Sequence, residues 1–296
     1  MKLLKLFSAV FFLASCNAQN QPLKLETNKD DNTLLWEVCG NGLQRPSYLF
    51  GTFHLMCKDD IHLSESLRKA IKAADELYLE MDMDDPSILL GGMMLMNMKE
   101  GKKLKDLYTE AEYKKVESFF SDSLGTPIGM LQRMKPMFLE SLLYPKMMAC
   151  KTMSGVEEEL MKLAKEAKKE IKGLETMEFQ ASVFDSIPYN EQAKDLLKTI
   201  DSLSQYRQYF DTMLTVYKNQ QLTEMETLFN KSEFGMEENK DLLLDNRNKN
   251  WVAQLKTIMK SKAVFIAVGA GHLPGSMGVI ALLKKEGFTV RPLLNK

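Results

Sequence analysis

The chain has 296 residues, 45% of them hydrophobic, with 39 Lys and Arg against 40 Asp and Glu for a net charge of −1. A balance this close excludes the one-signed field by which nucleic-acid binders gather their ligand. The hydrophobic fraction is that of a globular protein, not a disordered one.

Residues 1–18 read as an export signal, with Lys2 and Lys5 preceding an apolar stretch that runs to Leu13. Leu13-Ala14-Ser15-Cys16 is similar to a bacterial lipobox, which predicts lipidation of Cys16 and anchoring to a membrane of the cell envelope; the alternative is ordinary cleavage after Ala18 with no anchor. Residues 19–33 are polar and aperiodic and read as a flexible tether. About 265 residues then remain, enough for one sizeable core, and residues 34–296 are read as one domain.

Within that domain "TLLWEVC" and "SYLFGTF" form a predicted hairpin around "GNGLQRP". A helix follows in "SESLRKAIKAAD", with Leu67, Ala70, Ile71 and Ala74 on one face. "ELYLEMDM" alternates as a strand, with Tyr78, Glu80 and Asp82 on one side. A largely helical insert is expected over about residues 86–240. It holds capping-box patterns at Thr109/Glu112 and Ser154/Glu157, and one short apolar break, "KEIKGLET", that could be a strand. From Pro188 a long helical region is predicted to about residue 230. The C-terminal part returns to α/β order: a helix in "DLLLDNRNKNWVAQLKTIMKS", a strand in "AVFIAVGAGH", a helix starting near Pro274 and ending before Gly287, and a strand in "FTVRPLL". The fold class is therefore α/β, one mixed sheet built from the N- and C-terminal parts with the helical insert above it.

Among the cysteines, Cys39 in its strand reads as a small buried hydrophobe, and Cys57 with Cys150, both in loop-like settings of an exported chain, form a candidate disulfide. The 21 methionines read as core filler.

Two of the three histidines close a Gly-x-x-His tetrapeptide, "GTFH" at 51–54 and "GAGH" at 269–272. Each follows an apolar run that breaks at glycine, so His54 and His272 are each placed just past a strand's C-terminal end, where open α/β sheets bind ligands. Two imidazoles there suit a metal, and Glu80 is the natural third ligand; otherwise Glu80 faces solvent on an edge strand. Arg247 is either a solvated helix charge or an inward guanidinium that pairs with Glu80 or clamps substrate. His62 reads as structural or solvated. No Gly-x-Ser-x-Gly elbow, Walker A, Rossmann glycine fingerprint or His-Glu-x-x-His occurs.

"YLFGTFH", "ELYLEMD", "IKGLETMEFQ", "RNKNW" and "FIAVGAGHLPGSMGVIALLKKEGFTV" together resemble the TraB/GumN family, in order across nearly all of the mature chain. That family resembles in turn the Tiki proteins, metal-dependent membrane-anchored proteases, and more distantly erythromycin esterase and the haem-binding lipoprotein ChaN. The resemblance implies an active centre of His54, His272 and Glu80, with the family's arginine-asparagine pair at Arg247 and Asn248 and its "GLET" glutamate at Glu175. Asp82 is added as a supporting carboxylate on the strand of Glu80. The expectation is an exported, lipid-anchored hydrolase acting on a peptide or protein substrate. It would use a divalent transition metal (Mn, Co, Zn or Fe), with Glu80 as ligand or general base and Arg247 stabilising oxyanion charge. The rival expectation is a haem- or peptide-binding lipoprotein without catalysis.

Overall fold

The computed structural model describes residues 25–230 and 239–296. The signal segment and Cys16 lie outside the described residues. The chain's central feature is a mixed sheet of six strands, which we number with two short ones in chain order. They are β1 (Leu35–Cys39), β2 (Ser47–Thr52), β3 (Met56–Cys57), β4 (Glu76–Met81), β5 (Met153–Ser154), β6 (Glu170–Glu175), β7 (Val264–Gly269) and β8 (Thr289–Pro292). The sheet order is β6-β4-β7-β2-β1-β8, and β3 pairs only with β5. β1 and β2 form the expected antiparallel hairpin, while β2–β7, β4–β7 and β4–β6 are parallel. The sheet thus draws on both ends of the chain and also takes β6 from the middle, in the apolar break of the helical stretch.

This order decides how Glu80 is housed. β4 lies between β6 and β7, so it is an interior strand, and the edge-strand alternative for Glu80 does not apply. Interior parallel strands are covered on both faces and lose polar–apolar alternation. Leu77, Tyr78 and Leu79 of β4 are all buried, as is every residue of β7.

The helix Glu65–Ala73 buries Leu67, Ala70 and Ile71 and is capped by Ser64, whose hydroxyl accepts from Leu67 N–H. It packs with the helix Val156–Glu166, which also lies on β4 and β6. The helices Asn246–Ser261 and Val279–Lys285 pack together. Both crossovers on the first pair run from β2 toward β6, and both on the second run back toward β8, so right-handed connections assign the two pairs to opposite faces. A second, helical core gathers Met98, Leu104, Val116, Phe120, Leu139, Leu143 and Leu196 away from the sheet.

Several local expectations change. The Thr109/Glu112 capping box is present, but Ser154/Glu157 is not one: the helix is capped by Gly155, and the Glu157 carboxylate turns inward to other partners. The long helical region after Pro188 is three helices, Tyr189–Asp201, Leu203–Lys218 and Leu222–Asn230. They are broken at Ser202 and at Gln220, whose φ of 57° no helix accommodates. The last helix begins at Val279 with Gly278 as its cap, so Pro274 lies in the turn before it. Residues 25–33, read as tether, pack onto the sheet's edge: Leu25 is buried, Thr27 bridges to Leu293, and Leu294 N–H donates to Glu26 C=O. Cys39 is buried as expected, but no described cysteine carries a free thiol. Cys57 and Cys150 are bridged, with Cα atoms 5.7 Å apart. Among the described residues no helix is long and apolar enough to cross a membrane.

Candidate functional site

Four parallel neighbours end at one edge of the sheet, and each delivers a polar side chain there. β2 ends at Thr52 and is followed by His54; β7 ends at Gly269 and turns through Ala270–His272; Glu80 is the penultimate residue of β4; Glu175 is the last of β6. Because β7 lies between β2 and β4, His54, His272 and Glu80 meet in one crevice. Glu80 Oε1 is 3.7 Å from His272 Nε2 and 3.9 Å from His54 Nε2.

The two glycine motifs answer to different constraints. A Cβ on Gly51 would run into Leu273 and Ala270 at about 3 Å, so this glycine lets the His272 turn pack on β2. A Cβ on Gly269 would come within 3.2 Å of both Glu80 Oε1 and His54 Nε2 and enter the crevice itself.

Each imidazole is oriented from behind. His54 Nδ1 lies 2.7 Å from Glu157 Oε1, and the same carboxylate oxygen accepts from the Thr52 hydroxyl. His272 Nδ1 lies 2.7 Å from Asn248 Oδ1, and Asn248 Nδ2 donates to Met277 C=O, which fixes its amide orientation. Both partners are acceptors, so both Nδ1 atoms carry the hydrogen and a neutral ring turns its Nε2 lone pair toward Glu80. His272 is 5% exposed and packs on Trp251 with ring centroids 4.4 Å apart. His54 leaves 67% of its side chain open to solvent.

Arg247 is not a solvated helix charge. Its Nε lies 3.1 Å from each oxygen of Glu175, its Nη2 donates to Glu175 Oε2 at 2.8 Å and Glu80 Oε2 at 2.6 Å, and its Nη1 donates to Leu243 C=O at 3.0 Å. The remaining Nη1 hydrogen faces His272 Nε2 at 3.4 Å. All five guanidinium hydrogens thus have partners, and the one on His272 Nε2 is the one freed if that lone pair is engaged elsewhere. Glu80 Oε1 is also held by Gly269 N–H at 2.8 Å.

The charges follow from this packing. Burial alone would raise the Glu80 carboxyl, but the charges of the histidines and Arg247 and the Gly269 N–H outweigh it and hold the pKa at about 2. Burial, helped by Arg247 and His54, drives His272 down to about 3, so that ring is neutral at neutral pH. The standing positive charge beside Glu80 therefore comes from Arg247 and His54, not from His272. The protein mass around the crevice opposes charge on His54 although most of its side chain is open to solvent, but its hydrogen bond to Glu157 and the charges of Glu157 and Glu80 win and raise it to about 9. Glu80, Glu157 and Glu175 carry three negative charges against the single guanidinium of Arg247. The site takes up a proton on His54 in partial compensation.

Of the residues expected from sequence, His54, His272, Glu80, Arg247, Asn248 and Glu175 meet here. Asp82 lies just past β4, where burial and the neighbouring Asp84 raise its pKa, and it makes none of these contacts. His62 lines a separate crevice with Asp60, Tyr217, Gln220 and Asn295. Sequence reasoning missed Glu157, which mimicked a helix cap. It also missed Gln180, whose amide lies 3.2 Å from Glu175 Oε2 and 3.4 Å from Glu80 Oε2. Gln180 stands on the helix that follows β6, and no local pattern marks it.

Among the described residues no group of three or more His, Cys, Asp or Glu side chains is already closed into a metal-holding arrangement. The donors nevertheless fit a divalent cation. Ligand atoms about 2.0–2.1 Å from a tetrahedral metal lie about 3.4 Å from one another, close to the 3.7 and 3.9 Å seen here. A divalent charge would also balance the two surplus carboxylates in place of the His54 proton.

Fold and site together define an α/β protein with a two-histidine, one-carboxylate centre at the C-terminal edge of its parallel strands. Residues 34–292 match the TraB/PrgY/gumN family, and the chain belongs to it. It is also similar to Metalloprotease TIKI2 of Danio rerio, 20% identical over 322 aligned positions that cover 89% of this chain and 61% of the relative. The chain thus spans about three fifths of that relative's length. No solved structure matches it.

Proposed function

We propose that the protein is an exported, lipid-anchored, metal-dependent hydrolase acting on peptide bonds. The observation that carries this is the pair of Nε2 atoms presented to Glu80 Oε1, each imidazole fixed through Nδ1, in a site with more carboxylates than cations. The similarity to a metalloprotease supports the reaction class. His54, His272 and Glu80 would hold the metal, which could be Zn, Mn, Co or Fe. When bound it would supply Lewis acidity toward a water and toward the scissile carbonyl.

The chain's own groups do the rest. Glu80 Oε1 faces the crevice and can complete the ligand set or take a proton from the attacking water. Glu80 Oε2 stays on Arg247, which holds the carboxylate ionised. The Nη1 hydrogen that faces His272 Nε2 would be free to meet a developing oxyanion if that lone pair were engaged elsewhere. Gln180 and Glu175 keep Arg247 and Glu80 in register from β6 and its following helix.

The deciding experiment is metal analysis of the purified full chain, paired with cleavage of a mixed peptide library with and without chelator. The expected outcome is about one transition metal per chain and chelator-sensitive cleavage that His54→Ala and His272→Ala each abolish, with His62→Ala unaffected. Full cleavage in either alanine variant would overturn the reading. A Soret band on haem titration without cleavage would favour the haem-binding alternative.

A further inference from the structure

The segment that leads into Glu157, residues 150–156, is tied to the segment that carries His54. Phe53 C=O accepts from Val156 N–H at 3.0 Å. Met56 pairs with Ser154 and Cys57 with Met153. Lys58 N–H donates to Thr152 C=O at 3.0 Å, and the Cys57–Cys150 disulfide closes the far end. Between these ties Gly155 presses so closely that a Cβ there would fall 2.6 Å from His54 C=O. The ribbon is only two residue pairs long, and two-stranded ribbons of that size do not hold themselves together in water. On one side it is anchored by β2. On the other it enters the helix Val156–Glu166, which packs on β4 and β6, and its opposite end is closed by the disulfide.

We infer that Glu157 is the positioning residue for His54 and that the Cys57–Cys150 disulfide clamps it there, so that the site is fully assembled only in the oxidised chain. This rests on the proposed metal site but makes a separate claim about the metal-free protein. A dithiol reductant of the kind found in reducing compartments would supply two electrons and two protons. The Sγ–Sγ bond would become two thiols as the reductant closed to its own disulfide. The ribbon would then loosen, Glu157 would part from Nδ1, and the His54 ring would lose the tautomer and angle that aim Nε2 at Glu80. Thr52, which shares the carboxylate, lies on β2 and would stay in place.

Three measurements on the full chain test this. In the metal-free protein, imidazole nitrogen NMR of three histidines is readily resolved. The His54 Nδ1 proton should be downfield and exchange-protected in the wild type and absent in Glu157→Ala and in Cys57→Ser/Cys150→Ser. In titrations with Zn²⁺ or Mn²⁺ alone, Glu157→Ala should weaken affinity about 10- to 100-fold, Glu157→Gln, whose amide oxygen still accepts from Nδ1, should recover much of it, and the double-serine variant should weaken it in the same direction as the alanine. In native wild type, reduction with a dithiol should raise hydrogen exchange at the Val156 and Lys58 amides; this needs no substitution and stands even if the serine variant folds poorly. Unchanged exchange on reduction, or a double-serine variant with wild-type affinity and the Nδ1 signal intact, would overturn the clamp. Wild-type affinity in Glu157→Ala would overturn the positioning role. A wild type that shows the Nδ1 signal and its losses but binds no metal would sink the metal reading and leave this one standing.

Discussion

Arg247 Nη2 sits 2.6 Å from Glu80 Oε2, so half of the carboxylate that the two histidines face is committed to a buried guanidinium. Removing that cation leaves Glu175, only 3% exposed, without a counter-charge and Glu80 with His54 alone. Breaking a buried pair from one side costs about 3–5 kcal/mol. Arg247→Ala should lose that much in urea unfolding. Arg247→Lys should fall between, because a lysine keeps the charge but cannot reproduce the fork on Glu175. An alanine variant within about 1 kcal/mol of wild type would mean that water already relieves these carboxylates.

Gly269 separates stability from ligand binding. Its φ of −49° suits alanine, but the added methyl would stand 3.2 Å from Glu80 Oε1 and from His54 Nε2. Gly269→Ala should therefore melt near the wild-type temperature while metal affinity, read by calorimetry, drops at least about tenfold, as expected when ligands are displaced. Equal affinity in both proteins would show that a metal is not held between those two atoms.

The helix Met177–Asp185, which carries Gln180, is fastened from below by Lys135, a lysine only 1% exposed. Its Nζ meets Asp185 Oδ1 at 2.8 Å and Ala181 C=O at 3.1 Å. Lys135→Met should destabilise by about 3 kcal/mol, the low end for a broken buried pair because Lys99 still reaches Asp185. Lys135→Met/Asp185→Leu should recover most of that loss by chemical denaturation. A double variant worse than the single would instead make Asp185's bond from Tyr189 the dominant tie.

The anchor is tested separately. Cys16→Ser should move the protein from the membrane fraction to the soluble fraction, because the lipid on Cys16 is the proposed attachment. Retention on the membrane, or a mature N-terminus at Gln19, would remove the lipid from the proposal.

What the sequence made readable was whatever chemistry sits next to its own structural marker. His54 and His272 each follow an apolar run broken by glycine, so strand, turn and imidazole lie within ten residues. Glu80 stands out because a carboxylate is unexpected in an otherwise apolar strand. Glu157 has no such marker: it lies 103 residues from His54, and three residues after a serine it looks like half of a helix cap. The pairing of β3 with β5 and the packing of its helix on β4 and β6 bring it to the site. The placement of β6 beside β4 was equally hidden, since order in a parallel sheet is set by crossovers and not by local pattern. Without that order Glu80 could not be told from an edge residue, nor Glu175 seen as its neighbour.

The two histidines should give the metal-free protein a stability optimum near pH 6.5. His54 has a folded pKa of about 9 against an ordinary 6.5. The folded chain keeps a proton that the unfolded chain releases, so this stabilisation is complete below about 6.5 and is lost as pH rises through about 9. The slope is modest because water reaches most of the His54 side chain and screens the carboxylates. His272 acts in the opposite sense. Its folded pKa of about 3 means that the unfolded chain takes up a proton the folded chain refuses, so stability falls as pH drops from about 6.5 toward 3. Glu80, held at about 2, adds to the acid limb only below its ordinary 4.5. Urea midpoints measured in chelator from about pH 5 to 10 should peak in the middle of that range. His54→Asn should flatten the alkaline limb, and His272→Asn the limb between about pH 5 and 6.5. If His272→Asn leaves that acid slope unchanged, the buried ring is not held neutral by its surroundings, and its lone pair is not the ready ligand that the proposed metal site requires.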